Sequence, residues 1–458
     1  MRTIRSARVI DVATAMLGLV LGAGVVSAQP DINHDCRNDF NDSLQFMEDY
    51  AAGRPAADLN LDGVVNQADF SSFADSRART TYRIYWMVSS TLVANSYMDA
   101  QTDLSGLPIS RHCVIYYEQE FPKIPVIEGT NHTLIERGIH LMLRGSDGSY
   151  TNWRANLEAW MTEHAATTPA VVLRKVPSGY NGVVCLDFEA VLPLREQVRD
   201  MAGDTLQLAR WDGAVAAINT PTFDADFVQM AGFTPPEGVT GWEGLSASQQ
   251  EDLSSKAFEV VGERFFLTTL RETKRTLPNA KVGYYGFPTA WWPFYNDERR
   301  VLNDRLHNLF AECDIFMPSV YQLNWTGTDR NASPCPENFN TPAQNSVFFA
   351  SLFTELHRVR EQYGHPDQTI IPLAWWRYKA QAGGCSPDVD NARRVNDINL
   401  RHQLELPWWF GADGVAIWGY YGRPGPEYPY NWIDDPASVS LEIRTRWGPH
   451  IQRLACPK

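Results

Sequence analysis

Two carboxylic acids, Asp187 and Glu189, close an apolar run in the stretch NGVVCLDFEA, residues 181 to 190. A single phenylalanine separates them. In an extended chain residues i and i+2 project to the same side. The spacing therefore predicts neighbouring carboxyl groups at the carboxyl end of a buried strand. Like charges repel and desolvation disfavours each carboxylate, so one of the two is pushed towards staying protonated near neutral pH. A carboxyl kept protonated is what a general acid requires. The competing explanation is an N-cap or salt-bridge pair at a strand-to-helix junction.

Other apolar runs also finish in polar aromatics. GYYGFP delivers Tyr284 and Tyr285, MPSVY delivers Tyr321, and AIWGYY delivers Trp418 and Tyr420. An acid pair ringed by Tyr and Trp suits a sugar cleft, because rings stack on sugar faces while hydroxyls orient polar groups. Any one of these aromatics alone is better explained as core. The tandem tryptophans at 291–292, 375–376 and 408–409 fit substrate platforms and core packing equally well.

Such residues need strands that bring them to one end of a fold. Strand-like runs occur at 82–90, 113–118, 182–189, 281–288, 313–321, 369–376 and 414–421. Amphipathic stretches lie between several of them. The clearest starts at SASQQEDL and places Phe258, Val261, Phe265 and Thr269 at helical spacing. Strands apolar on both faces and joined by helices imply a parallel sheet. Seven such units predict an α/β fold with a closed (β/α) TIM-like barrel, whose active site sits at the carboxyl ends of the strands. A doubly wound sheet competes, but no GxGxxG follows an early strand.

The chain has 458 residues, 44% hydrophobic and 12% aromatic, enough for one large domain and a small one. Its formal charge of -14 argues against non-specific nucleic-acid binding. Residues 1–28 read as a signal peptide: Arg2, Arg5 and Arg8 precede a short apolar run that ends in VSA at Ala28. No later segment reaches about 18 uninterrupted apolar residues, so no membrane span is expected and the mature protein is read as secreted. Of the seven cysteines, Cys113 and Cys185 sit in strand-like runs and read as buried thiols, whereas Cys335 and Cys385 could pair. No CxxC or His/Cys cluster suggests zinc.

Residues 29–77 carry ten acidic and three basic side chains. Within them two segments share one pattern of oxygen ligands. The first offers Asp31, Asn33, Asp35, Asp39 and Asp42; the second offers Asp58, Asn60, Asp62, Asn66 and Asp69. These are positions 1, 3, 5, 9 and 12 of an EF-hand-type Ca2+ loop, in which Gly63 takes the sharp sixth position and Cys36 departs from it. Apolar residues follow each loop, among them Phe46, Met47, Phe70 and Phe73. The pair resembles a dockerin-type helical module. That resemblance implies calcium binding and docking to a cohesin-like scaffold; a solvated acidic linker is the alternative.

The large segment, 80–458, carries a second resemblance. VIYYEQEFP, YNGVVCLDFEAVLPL, GYYGFP, CDIFMPSVY and DGVAIWG occur in the order seen in hyaluronidases, the family-56 glycoside hydrolases. The resemblance implies a distorted β/α barrel that cleaves β-linked N-acetylhexosamine bonds in glycosaminoglycans, hyaluronan or chondroitin, with retention. It assigns the proton donor to Glu189 and the hold on the substrate's acetamido group to Asp187. Tyr285 and Tyr321 take the positions of the tyrosines that stabilise the intermediate, and Trp418 that of the tryptophan walling the same pocket.

In this scheme the acetamido oxygen replaces an enzyme nucleophile. That would explain why the two acids are adjacent, rather than flanking the bond at about 5 Å as in ordinary retaining enzymes. Departures from the family are AVLPL after the acids, Thr289-Ala290 in place of Asp-Cys, and WMVSS in the first strand. They bear on which polysaccharide is chosen. A hydrolase of chitin-like glycans or peptidoglycan, and a non-catalytic glycan-binding protein, are the other readings.

Overall fold

The computed structural model describes residues 45–46, 49–50, 52–59, 62–66, 68–69, 82–88, 102–121, 126–128, 135–188, 192–197, 205–289, 297–321, 323–324, 342–365, 367–376, 379–380, 395–419 and 436–454. The segments 1–28 and 31–42 lie outside these residues, as do Cys335 and Cys385.

All seven strand runs expected from the sequence are present. They are β1 (Arg83–Val88), β2 (Cys113–Tyr117), β3 (Val183–Asp187), β4 (Lys281–Tyr284), β5 (Ile315–Phe316), the broken pair β6 (Thr369–Ile370) and β7 (Leu373–Trp375), and β8 (Gly414–Gly419). Every pairing among them is parallel. β2 pairs β3, and β3 pairs β4. A bridge from Tyr285 to Met317 continues to β5, which pairs β6. A bridge from Ser319 to Leu373 leads on to β7, which pairs β8, and β8 pairs β1. β1 packs against β2 and completes the circuit. The result is a closed α/β barrel of seven strand positions, not an open sheet.

Helices cover the outside. α1 (Trp153–Val172), α2 (Thr205–Asn219), α3 (Ala247–Thr276), α4 (Pro342–Tyr363) and α5 (Asp397–Trp409) follow or precede the strands they shield. α3 begins where the sequence predicts: Ser246 caps it, and the Gln249 side-chain oxygen accepts a hydrogen bond from the Ser246 amide at 2.9 Å. Its stripe of Phe258, Val261, Phe265 and Thr269 is buried against the barrel.

Alternation along β3 sets the two layers. Phe188 packs edge-on against Phe121 (5.1 Å), Phe266 (5.7 Å) and Tyr284 (5.6 Å), and its ring stacks on Phe265 (5.5 Å). It therefore belongs to the layer between barrel and helices. Truncating so buried a ring costs about 3–5 kcal/mol. Asp187, one residue earlier, must face the other way, into the barrel. α3 also comes close to the loop that follows this strand: a Cβ on Gly262 would lie 2.6 Å from the Pro193 carbonyl oxygen. Cys113, Cys185 and Cys313 are buried, as expected of the first two. Among the described residues no helix is long and apolar enough to cross a membrane.

Candidate active site

The inward positions at the carboxyl ends of the strands form one constellation. Asp187 ends β3, is almost fully buried, and stands in register with Tyr117 at the end of β2. Residues in register on neighbouring parallel strands share a face, so the carboxyl group and the phenol emerge side by side. The Tyr117 hydroxyl accepts a hydrogen bond from Trp418 Nε1, at the end of β8, at 3.0 Å. Trp418 stacks on Tyr321 with ring centroids 5.4 Å apart and planes 22° apart. Tyr321 in turn stacks on Tyr285 at 6.1 Å and 27°. The Tyr285 amide donates to the Leu186 carbonyl at 2.9 Å, which ties this wall back to β3 beside Asp187.

The turn after β2 is pinned from outside the barrel. Glu120 Oε2 accepts from the Tyr117 amide at 2.8 Å and from Lys175 Nζ at 2.7 Å. Lys175 also donates to the Ile115 carbonyl at 2.6 Å and lies over the Tyr116 ring. Burial lowers the Lys175 ammonium pKa, and the Glu120 charge opposes that shift.

Of the residues expected from the sequence, Asp187, Tyr285, Tyr321 and Trp418 come together. Tyr284 does not, and its assignment to substrate binding is corrected. Its ring is buried on the outer face, and its hydroxyl donates to the Phe266 carbonyl of α3 at 2.9 Å. Glu189 and Tyr420 lie outside the described residues. Tyr117 was missed. It follows Tyr116 in an unbroken aromatic run, and nothing in that run tells which ring faces inward. Tyr116 is the outward one, donating to the Val172 carbonyl at 2.6 Å. The 375–376 pair also divides: Trp375 joins the inner wall, and Trp376 stacks on Trp86 at 5.7 Å and 7°.

In the acidic N-terminal segment, Asp31, Asn33, Asp35, Asp39, Asp42 and Asn60 lie outside the described residues. Gly63 adopts the left-handed φ of +86° expected at the sharp turn. Asp58 accepts from the amides of Asp62 (3.1 Å) and Gly63 (2.8 Å), and Asp69 from those of Leu59 (2.8 Å) and Asn66 (2.7 Å). Burial raises the Asp58 pKa, as do the charges of Asp69 and Asp62 to a smaller degree, against the lowering effect of the Gly63 amide. These residues thus build the loop's turn. Among the described residues, however, no three His, Cys, Asp or Glu side chains converge to hold a metal ion.

A carboxyl group, an ordered wall of stacked rings and a row of phenol hydroxyls can bind a sugar face and stabilise charge developing beside it. Comparison with known proteins agrees with that chemistry. No protein-family model matches the chain. The hyaluronidase of Apis mellifera is 26% identical over 185 residues, which span 39% of this chain and 42% of that protein. The chondroitin hydrolase of Caenorhabditis elegans is 25% identical over 384 residues, 81% of this chain and 69% of that one. The hyaluronidase of Polistes annularis is 24% identical over 75% of this chain and 80% of its own.

Among solved structures, bee venom hyaluronidase superposes with a TM-score of 0.54 at 16% identity, over 81% of this chain and 99% of that one. Its complex with a hyaluronic acid tetramer gives 0.52 at 17% identity, over 82% and 99%. The structural likeness shows the distorted barrel, and the aligned sequences show a distant similarity over most of the chain. In sequence and in fold the chain is distantly similar to the hyaluronidases and to a chondroitin hydrolase.

Proposed function

We propose that the protein is an exported endo-β-N-acetylhexosaminidase that hydrolyses glycosaminoglycans with retention, the substrate's acetamido group acting as nucleophile. The observation that carries this reading is the contact from Tyr117, the strand-register partner of Asp187, through Trp418 to Tyr321 and Tyr285 at the barrel's carboxyl end. Glu189, two residues beyond Asp187, protonates the leaving oxygen. Asp187 accepts from the acetamido N–H and so aims its carbonyl oxygen at the anomeric carbon. As that oxygen attacks, the ring nitrogen gains positive charge, which the Asp187 carboxylate offsets. The phenols of Tyr285 and Tyr321 orient the amide, and the Trp418 ring walls the pocket. Water then opens the oxazolinium ion, with Glu189 taking the proton.

The names of the relatives favour hyaluronan and chondroitin as substrates. The deciding experiment is reducing-sugar release from both by the purified protein and by Glu189→Gln. We expect release by the wild type and a loss of at least about a hundredfold in the variant. No release from either chain by the wild type would refute the reading. We further propose that residues 1–28 direct export and that residues 29–77 form a calcium-binding docking module, supported by the ligand spacing and the Gly63 turn.

A further inference from the structure

We infer that Trp375 is a positioning residue for the ring wall, itself held by Gln403; the inference rests on the proposed role of Tyr321 and Trp418. Tyr285, Tyr321 and Trp418 form a nearly parallel stack, with interplanar angles of 27° and 22°. Parallel rings resist separation but slide easily, because offset stacking has a shallow optimum. Trp375 crosses that stack. Its ring meets Tyr321 at 5.8 Å and 58°, and Trp418 at 5.3 Å and 69°. A plane set across both rings blocks the sliding motion that would carry the Tyr321 hydroxyl away from its target.

The wedge is fixed through its backbone. Gln403 of α5, fully buried, accepts from the Trp375 amide at 2.8 Å and donates to the Trp375 carbonyl at 2.9 Å. Shifting Trp375 would break two buried hydrogen bonds at once, and buried groups left without partners are costly. Trp375 itself is only 3% exposed, so it acts on substrate through its neighbours.

The adjacent tryptophan supplies the control. Trp376 is equally buried but faces outward, stacked on Trp86, with its ring over Gly419. Trp375→Leu, Trp375→Phe and Trp376→Leu would be compared for kcat and KM on the glycan that the wild type degrades, with activity normalised to folded protein.

We expect Trp375→Leu to lower kcat by on the order of ten- to a hundredfold, with KM changing far less. Trp375→Phe recovers most of that loss. Trp376→Leu lowers the thermal midpoint but leaves kcat per folded molecule within about twofold. Unchanged kcat in Trp375→Leu, or an equal fall in Trp376→Leu, would overturn the inference. A wild type inactive on every N-acetylated glycan would instead refute the function itself. The wedge would then be judged by the crystal structure of Trp375→Leu, where a Tyr321–Trp418 separation still at 5.4 Å would overturn it.

Discussion

Replacing His164 by glutamine isolates one titrating group in the helix layer beside the site. His164 lies on α1 with no solvent exposure, its ring against Trp160 (5.0 Å) and Phe265 (4.8 Å). Its Nε2 sits 2.8 Å from Thr269 Oγ1 on α3, while Nδ1 has no hydrogen-bond partner among the described residues. A proton added at Nδ1 would bring a charge with no acceptor into a hydrocarbon layer. Burial accordingly holds the imidazole pKa down at about 4, against the usual 6.5.

The sign follows from linkage. Between pH 6.5 and about pH 4 the unfolded chain binds a proton at this position and the fold does not. Stability therefore falls as the pH falls, by about 1.4 kcal/mol per pH unit, or roughly 3 kcal/mol over the interval. His140 and His402 are shifted the same way, chiefly by burial, and steepen the wild-type curve further. Glutamine retains an amide that can reach Thr269 but does not titrate.

Urea unfolding followed by tryptophan fluorescence, repeated from pH 7.5 to 4.5, reads the difference. We expect His164→Gln to be the less stable protein at pH 7.5. Its stability should then decline less steeply with acid, by about 1.4 kcal/mol per unit below pH 6. Parallel curves for the two proteins would refute the claim that His164 is buried neutral.

Two other outcomes test the placements described above. Tyr284→Phe removes a buried hydrogen bond to the Phe266 carbonyl; it should lower stability by about 1 kcal/mol in denaturant melts and leave kcat/KM on the degraded glycan unchanged. A fall in kcat/KM would return Tyr284 to the cleft. Adding Ca2+ to chelator-treated protein should raise the melting temperature, and Asp58→Ala should abolish the rise; identical melts with and without calcium would leave the acidic segment a linker.

Much of the barrel was legible because parallel strands are buried on both faces. Each of the seven runs is a short apolar stretch that no solvated loop would tolerate, and every one became a barrel strand. The stripe of α3 is likewise a local signal, arising within a few turns of one helix. The site was only half legible. A strand's two faces alternate by covalent geometry, but which face looks inward depends on what packs outside it. Tyr284 and Tyr285 illustrate the point, since only the Phe266 carbonyl and the Phe188 ring identify Tyr284 as the outer residue. The same ambiguity hid Tyr117 behind Tyr116.

By itself, then, the amino-acid order determined the seven runs that build the barrel, the placing of a second acid two residues after Asp187, and the aromatic ends of the later strands. Those properties depend on neighbours within a few residues along the chain. Only the folded barrel decided that Trp418 reaches Tyr117, that Tyr321 lies between Tyr285 and Trp418, and that Trp375 and Trp376 part to opposite faces. These contacts join residues tens to hundreds of positions apart. Closure of the barrel, not any local preference, brings them within reach.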